Sequence, residues 1–244
     1  MNRMARTAGA LYIALFILGP FVFLFGKAAA LVPGDPAASA ANVLAMGVEF
    51  RVGMLIEVAI ILIEIVLAAI FYVIFRPVSQ ALSLAAAFAR FGEALVQGVN
   101  VLVSGTVLLV LGADGALAAF TPSQLEALGH LLLGANAFGV LVWGIFFGFH
   151  LLLLGHLVRA SGFLPRWMGV LLMVAGVGYL VQSCGMIVRP DAKATLDVLV
   201  VVMAVPGELA FAFWLLFKGV DESKGVDESK PRPAPPAQRP AEVM

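Results

Sequence analysis

Between Ala81 and Ala113 runs a long, mostly apolar stretch that carries a line of polar groups. Arg90, Glu93, Gln97, Asn100 and Ser104 recur at steps of three or four. At about 100° per residue these side chains fall within an arc of roughly 80°. The rest of the helix surface is Ala, Leu, Val, Phe and Gly. Such a helix needs a bilayer around most of its girth and protein or water along one stripe. The remainder of the chain then has to supply companions for that stripe.

Composition agrees with a bilayer. The 244 residues are 62% hydrophobic and 12% charged, with a mean hydropathy of +1.04, whereas soluble domains are about a quarter charged. Several apolar runs exceed the roughly 18 residues that mark a membrane span. A formal net charge of zero leaves no electrostatic footprint for nucleic acid. A single cysteine, Cys184, excludes an internal disulfide and a cysteine metal cluster. The start, with Arg3, Arg6, an apolar run and Ala28-Ala29-Ala30, imitates a signal peptide. The run is longer than the usual h-region of about 7–15 residues, so an uncleaved first helix is expected.

Read in order, the spans are expected near residues 8–26, 53–75, 81–112, 124–158, 167–188 and 194–217. Val32-Pro33-Gly34-Asp35-Pro36 cannot be helix, since two prolines fix φ and remove donors. Residues 38–50 predict a short helix at the interface. Asp114-Gly115 marks a turn. Thr121-Pro122-Ser123-Gln124 predicts a helix start, with threonine as cap, proline first and glutamine closing a capping box. Asn136, Trp143 and His150 repeat at sevens along one face. Trp167 and Trp214 fit interface belts. Pro206-Gly207-Glu208 is expected to interrupt the last span, either as a kink or as a discontinuous helix of the kind that lines transporter sites.

Residues 1–218 thus form one transmembrane domain. Residues 219–244, with GVDESK written twice and a Pro-rich end, are expected to be a disordered cytoplasmic tail. With the N-terminus inside, the inner segments hold Arg3, Arg6, Arg76, Arg159, Arg166, Lys218 and the tail bases. The outer loops hold Lys27, Arg51, Arg189 and Lys193. This bias predicts both termini in the cytoplasm.

Glu57, Glu64, Arg90, Glu93 and Glu208 lie at membrane depth. One central charge costs on the order of 3 kcal/mol, so five facing lipid would cost on the order of 15 kcal/mol, more than typical folding stability. They are expected to face inward, with Glu64, Arg90, Glu93 and Glu208 near the midplane and Glu57 nearer the outside. One arginine cannot neutralise four acids, so protonation, a bound cation or water has to balance the rest. The functional reading is a protonatable or cation-binding site between spans two, three and six. The competing reading is a polar network that only fixes helix register. Gln97, Asn100 and Asn136 would orient ligand or water. His150 is the histidine expected to be buried, either as a satisfied core histidine or as a proton relay. His130 and His156 fall near the interfaces. No metal-ligand spacing, nucleophile motif, P-loop or dinucleotide fingerprint is present, so no catalytic residue, metal or cofactor is assigned. Cys184 reads as apolar filler.

Several separated phrases resemble one family. Residues 147–172 read FGFHLLLLGHLVRASGFLPRWMGVLL. RTAGALYIA from Arg6, VPGDPAASAANV from Val32, RPV from Arg76, GVN from Gly98, GYLVQS from Gly178 and PGELAFAFWLLFKGV from Pro206 accompany it. Together they resemble the bacterial multi-pass membrane family catalogued as domain of unknown function 4386, over roughly Arg6 to Val220. The resemblance implies a bacterial inner-membrane protein of about six or seven helices with no settled activity. It implies acids at Glu57 and Glu64, more often aspartate. Tyrosine is commoner where His156 stands and aspartate where Gln182 stands, which puts a role for either in doubt.

The expectation is therefore an all-α, polytopic transmembrane bundle of six spans. It would bind or pass a small solute or ion, coupled to protonation of Glu64, Glu93 or Glu208, with Arg90 as counter-ion and gate partner. An accessory subunit packed against other membrane proteins or copies of itself is the second hypothesis. A lipid-modifying intramembrane enzyme is the third.

Overall fold

The computed structural model describes residues 1–25, 27–112, 117–221 and 223. The Asp114-Gly115 turn and the tail with most of its GVDESK repeat lie outside the described residues. The chain is all-α, and there is no strand among the described residues. The helices are α1 (Asn2–Phe25), α2 (Lys27–Ala30), α3 (Pro36–Met46), α4 (Val48–Phe75), α5 (Gln80–Leu111), α6 (Pro122–Ser161), α7 (Arg166–Val188) and α8 (Lys193–Phe217). Six of them, α1 and α4 to α8, are long and apolar enough to cross a membrane. The protein is a six-span membrane bundle. At about 1.5 Å per residue, α5 with 32 residues and α6 with 40 exceed a hydrocarbon core of roughly 30 Å.

Local chemistry sets most boundaries. The Thr121 hydroxyl accepts from the Gln124 N–H at 3.4 Å, and the Gln124 side chain accepts from the Thr121 N–H at 2.9 Å. This is the capping box expected at the start of α6. Asp35 caps α3 by accepting from the Ala38 N–H at 2.9 Å. Pro36 takes the first helical turn, where its missing N–H costs nothing. The helix therefore begins earlier than position 38. It also ends earlier than position 50. Gly47, at φ +48°, breaks the chain between α3 and α4, so the second span starts at Val48 instead of residue 53. Pro206 lies inside α8, which runs through it as one helix, so the discontinuous-helix alternative is not met. Neighbouring helices in a bundle can re-satisfy the groups a proline frees.

α6 and α7 pack through small residues. A Cβ on Gly148 would lie 2.8 Å from the Gly176 carbonyl oxygen, and one on Gly155 would lie 2.6 Å from that of Gly169. The two helices meet backbone to backbone at heptad spacing, as small residues allow in lipid. α1 meets α8 the same way at Gly9, which abuts the backbone of Leu216. Arg6 donates to the Phe217 carbonyl at 3.5 Å, and the Asp221 N–H donates to the Phe163 carbonyl at 3.1 Å. Phe163 stacks on Phe75. The start of α1, the α4 and α6 ends and the end of α8 thus share one face of the bundle. That face carries Arg3, Arg6, Arg76, Arg159, Arg166 and Lys218. At the other face α3 packs on α6, and Ser39, buried, lies 3.0 Å from His130 Nδ1.

Candidate functional site

The polar stripe of α5 faces inward. Arg90, Glu93, Asn100 and Ser104 are buried and Gln97 is half-buried, while Phe88, Leu95, Val99, Leu102 and Leu109 are exposed. At about 100° per residue the exposed set centres opposite the stripe. One surface meets lipid and the other meets the bundle.

Arg90 and Glu93 anchor a chamber to which every spanning helix contributes. The Arg90 Nη1 lies 3.8 Å from Glu93 Oε1, with side chains 1% and 0% exposed. Glu64 from α4 and Glu208 from α8 lie within electrostatic reach of this pair. Tyr12 from α1 faces both Arg90 and Glu208. Trp143 from α6 faces Glu64, and Tyr179 from α7 faces Glu208. The Tyr12 hydroxyl and the Trp143 indole N–H nonetheless reach no acceptor in good hydrogen-bond geometry.

An aromatic shell surrounds these charges. The Arg90 guanidinium lies 5.2 Å from the Tyr12 ring centroid and 5.6 Å from that of Phe147, within cation–π range. Phe147 continues to Trp143 at 5.0 Å and to Tyr179 at 4.8 Å. Tyr12 continues to Phe71 at 6.3 Å and to Phe211 at 6.0 Å. Low-dielectric walls of this kind strengthen every charge interaction inside them.

Many polar atoms of the chamber make no hydrogen bond. Both carboxylate oxygens of Glu93, Oε2 of Glu64, and Nε and Nη1 of Arg90 are buried without a hydrogen bond. The Arg90–Glu93 contact is an ion pair too long for a direct hydrogen bond. His150 is fully buried, with Nδ1 2.8 Å from the Ala86 carbonyl oxygen. Its Nε2 has no partner, and its ring packs between Phe71 and Phe147. An unsatisfied buried polar group costs about 1–3 kcal/mol.

The candidate residues separate into two levels. Glu64, Arg90, Glu93, His150 and Glu208 share the chamber or its wall. Glu57 is buried on α4, about 10 Å further along that helix at 1.5 Å per residue. Asn100 and Asn136 belong to a clasp between α5 and α6. The Asn136 amide donates to the Asn100 carbonyl at 2.8 Å and to Ser104 Oγ at 3.1 Å, while Ser104 donates to the same carbonyl at 2.9 Å. A Cβ on Gly139 would collide with Asn100, so glycine lets the clasp close. Gln97, half-buried, lies one turn from Asn100 along the same stripe.

Tyr12, Trp143 and Tyr179 belong to the chamber without having been singled out for it by sequence. A hydroxyl at membrane depth in an otherwise apolar first span is the signal that marks Tyr12. Asp197 is a further acid outside the chamber. It accepts from Gln182 at 3.0 Å and pairs with Lys193 at 2.6 Å.

Comparison with known proteins gives kinship without an activity. A family model described as domain of unknown function (DUF4386) matches residues 7–219, a range that takes in nearly all of the six long helices. A protein of Archaeoglobus fulgidus, described as uncharacterized, is 43% identical over 75 residues. That match covers 31% of this chain and 43% of the relative, so it spans less than half the relative's length. No solved structure matches.

Proposed function

Because the chain belongs to the family described as domain of unknown function DUF4386, its activity has to be read from the chamber, and we propose that it binds or passes a small solute or ion across the membrane. Protonation of Glu64, Glu93 and Glu208 is coupled to that passage, with Arg90 as their counter-ion. One observation carries the reading: three buried glutamates surround a single arginine, and both oxygens of the most buried one lack a hydrogen bond. A clasp that only fixes helix register satisfies its members, as Asn100, Ser104 and Asn136 do. Intramembrane ionisable groups commonly mark solute paths and proton relays. The basic end faces the cytoplasm, an orientation supported by the lysine and arginine bias. The test is flux in proteoliposomes, following internal pH and a panel of monovalent ions and small charged solutes. Glu64→Gln, Glu93→Gln and Glu208→Gln should each abolish or uncouple the flux of wild-type protein. Unchanged flux in all three sinks the proposal.

A further inference from the structure

The basic end of the bundle carries charge that the protein itself does not balance. Arg3, Arg76, Arg159 and Arg166 are exposed there, and among the described residues none of them meets a carboxylate. At the opposite end Arg189 pairs with Asp191 at 3.2 Å and Lys193 with Asp197 at 2.6 Å. Asp221, the acid described at the basic end, accepts from the Ser223 hydroxyl at 2.6 Å. A lysine and arginine bias sets which end is basic, but it does not require the bases to go unpaired. We propose that the seam between α6 and α7 at this end binds one phospholipid with an anionic headgroup, its phosphate on Arg159 and Arg166 and its acyl chains along the outer face of α7.

Gly169 brings the two arginines to one side of α7. A Cβ there would lie 2.5 Å from Arg159 Cγ, so the arginine stem crosses the seam against bare helix backbone. Its Nη1 reaches Met173 Sδ at 4.0 Å, and the side chain stays exposed. Gly169 follows Arg166 by three residues, which makes them neighbours on one helix face, about 4.5 Å apart along the axis. Two guanidiniums rooted this close can share the oxygens of one phosphate.

Beyond Arg166 the same face is apolar. Val170, Val174, Val177 and Val181 are exposed, and at about 100° per residue they fall within roughly 80° of Arg166. Val170 to Val181 spans about 16 Å, close to one leaflet of a hydrocarbon core of roughly 30 Å. Trp167, also exposed, stands on the other side of Arg166, edge-on to Trp214 at 6.2 Å. Tryptophans favour the headgroup level. An acidic protein segment would answer the arginines and leave the valine ridge bare, and so would a free anion. A phospholipid answers both, whatever the chamber passes.

The experiment is quenching of tryptophan fluorescence in bilayers holding the full chain, with brominated phosphatidylglycerol or brominated phosphatidylcholine titrated into unbrominated phosphatidylcholine. Trp167 and Trp214 report from beside the seat. The glycerol lipid should reach half-maximal quenching at a mole fraction at least about fivefold lower, the effect of roughly one base near an anionic headgroup. Arg159→Gln and Arg166→Gln should each reduce that ratio at least about twofold, and the double variant should bring it to about one. Arg159→Lys and Arg166→Lys keep the charge and should retain most of the preference, which separates loss of charge from loss of the fold. Arg76→Gln removes the same charge from the end of α4 and should leave the ratio unchanged. No preference in the wild type overturns the inference. An equal fall in Arg76→Gln also overturns it, since the attraction would then belong to the whole basic end. Displacement of the lipid by sodium phosphate, against sodium chloride at matched ionic strength, would make the seat one for a free anion and overturn it as well.

Discussion

Removing Arg90 should destabilise the bundle more than removing any surface charge. In Arg90→Met the stem is replaced at similar volume, so packing against Tyr12 and Phe147 is largely kept. What is lost is the cation, 1% exposed and 3.8 Å from Glu93. With an effective dielectric of 20, two unit charges at that distance interact by about 4 kcal/mol. Stranding the partner of a buried pair costs about 3–5 kcal/mol, and the two values agree. Glu93→Gln leaves Arg90 with Glu64 and Glu208, so it should cost less, about 1–2 kcal/mol. The double variant should fall short of the sum by at least about 1 kcal/mol, since residues in one charge network couple by about 0.5–3 kcal/mol. Lys193→Met is the control. Its side chain is 63% exposed and pairs with Asp197 at the surface, so its loss should stay below about 1 kcal/mol. The assay is reversible unfolding in mixed micelles, read by near-UV circular dichroism. Arg90→Met within error of the Lys193→Met control, or strict additivity in the double variant, would falsify the buried network.

Three further outcomes follow from the packing and the charges. Gly155→Ala should cost about 1–3 kcal/mol, because its Cβ would meet the Gly169 carbonyl oxygen at 2.6 Å. Gly98→Ala and Gly134→Ala, with nothing within 4 Å, should be neutral or stabilising by up to about 1 kcal/mol; equal losses at all three in the unfolding assay would refute the α6–α7 contact. Asn136→Ala removes two donated bonds to α5 and should cost about 0.6–1.7 kcal/mol; no loss in the same assay means the clasp carries no stability. In a Cys184→Ser background, Ser123→Cys should react with a membrane-impermeant maleimide in intact cells and Arg159→Cys only after lysis, and the reverse pattern would invert the proposed orientation.

The spans and several boundaries were legible because the physics behind them is local. A bilayer demands long apolar runs, and the Thr121–Gln124 box and the Asp35 cap are contacts within three residues. The break at Gly47 depends on a positive φ, and glycine in a mixed segment such as residues 38–50 does not announce one. Pro206 suggested an interruption because its effect on α8 depends on neighbouring helices that a single-helix reading does not include. The inward face of α5 was legible from its own period. Which other helices meet that face was not. Tyr12 and Tyr179 reach the chamber through tertiary packing, and the Asn136–Trp143–His150 line serves two purposes, a clasp at one end and a chamber wall at the other.

The most direct test of the central claim is a distance. In bilayer samples with ¹⁵N-labelled arginine and ¹³C-labelled glutamate, rotational-echo NMR should show guanidinium–carboxylate dephasing consistent with the 3.8 Å contact between Arg90 and Glu93, and that dephasing should fall in Glu93→Gln to the level set by the other glutamates. Dephasing no greater in the wild type than in Glu93→Gln would mean that the arginine and the acid do not meet inside the bundle.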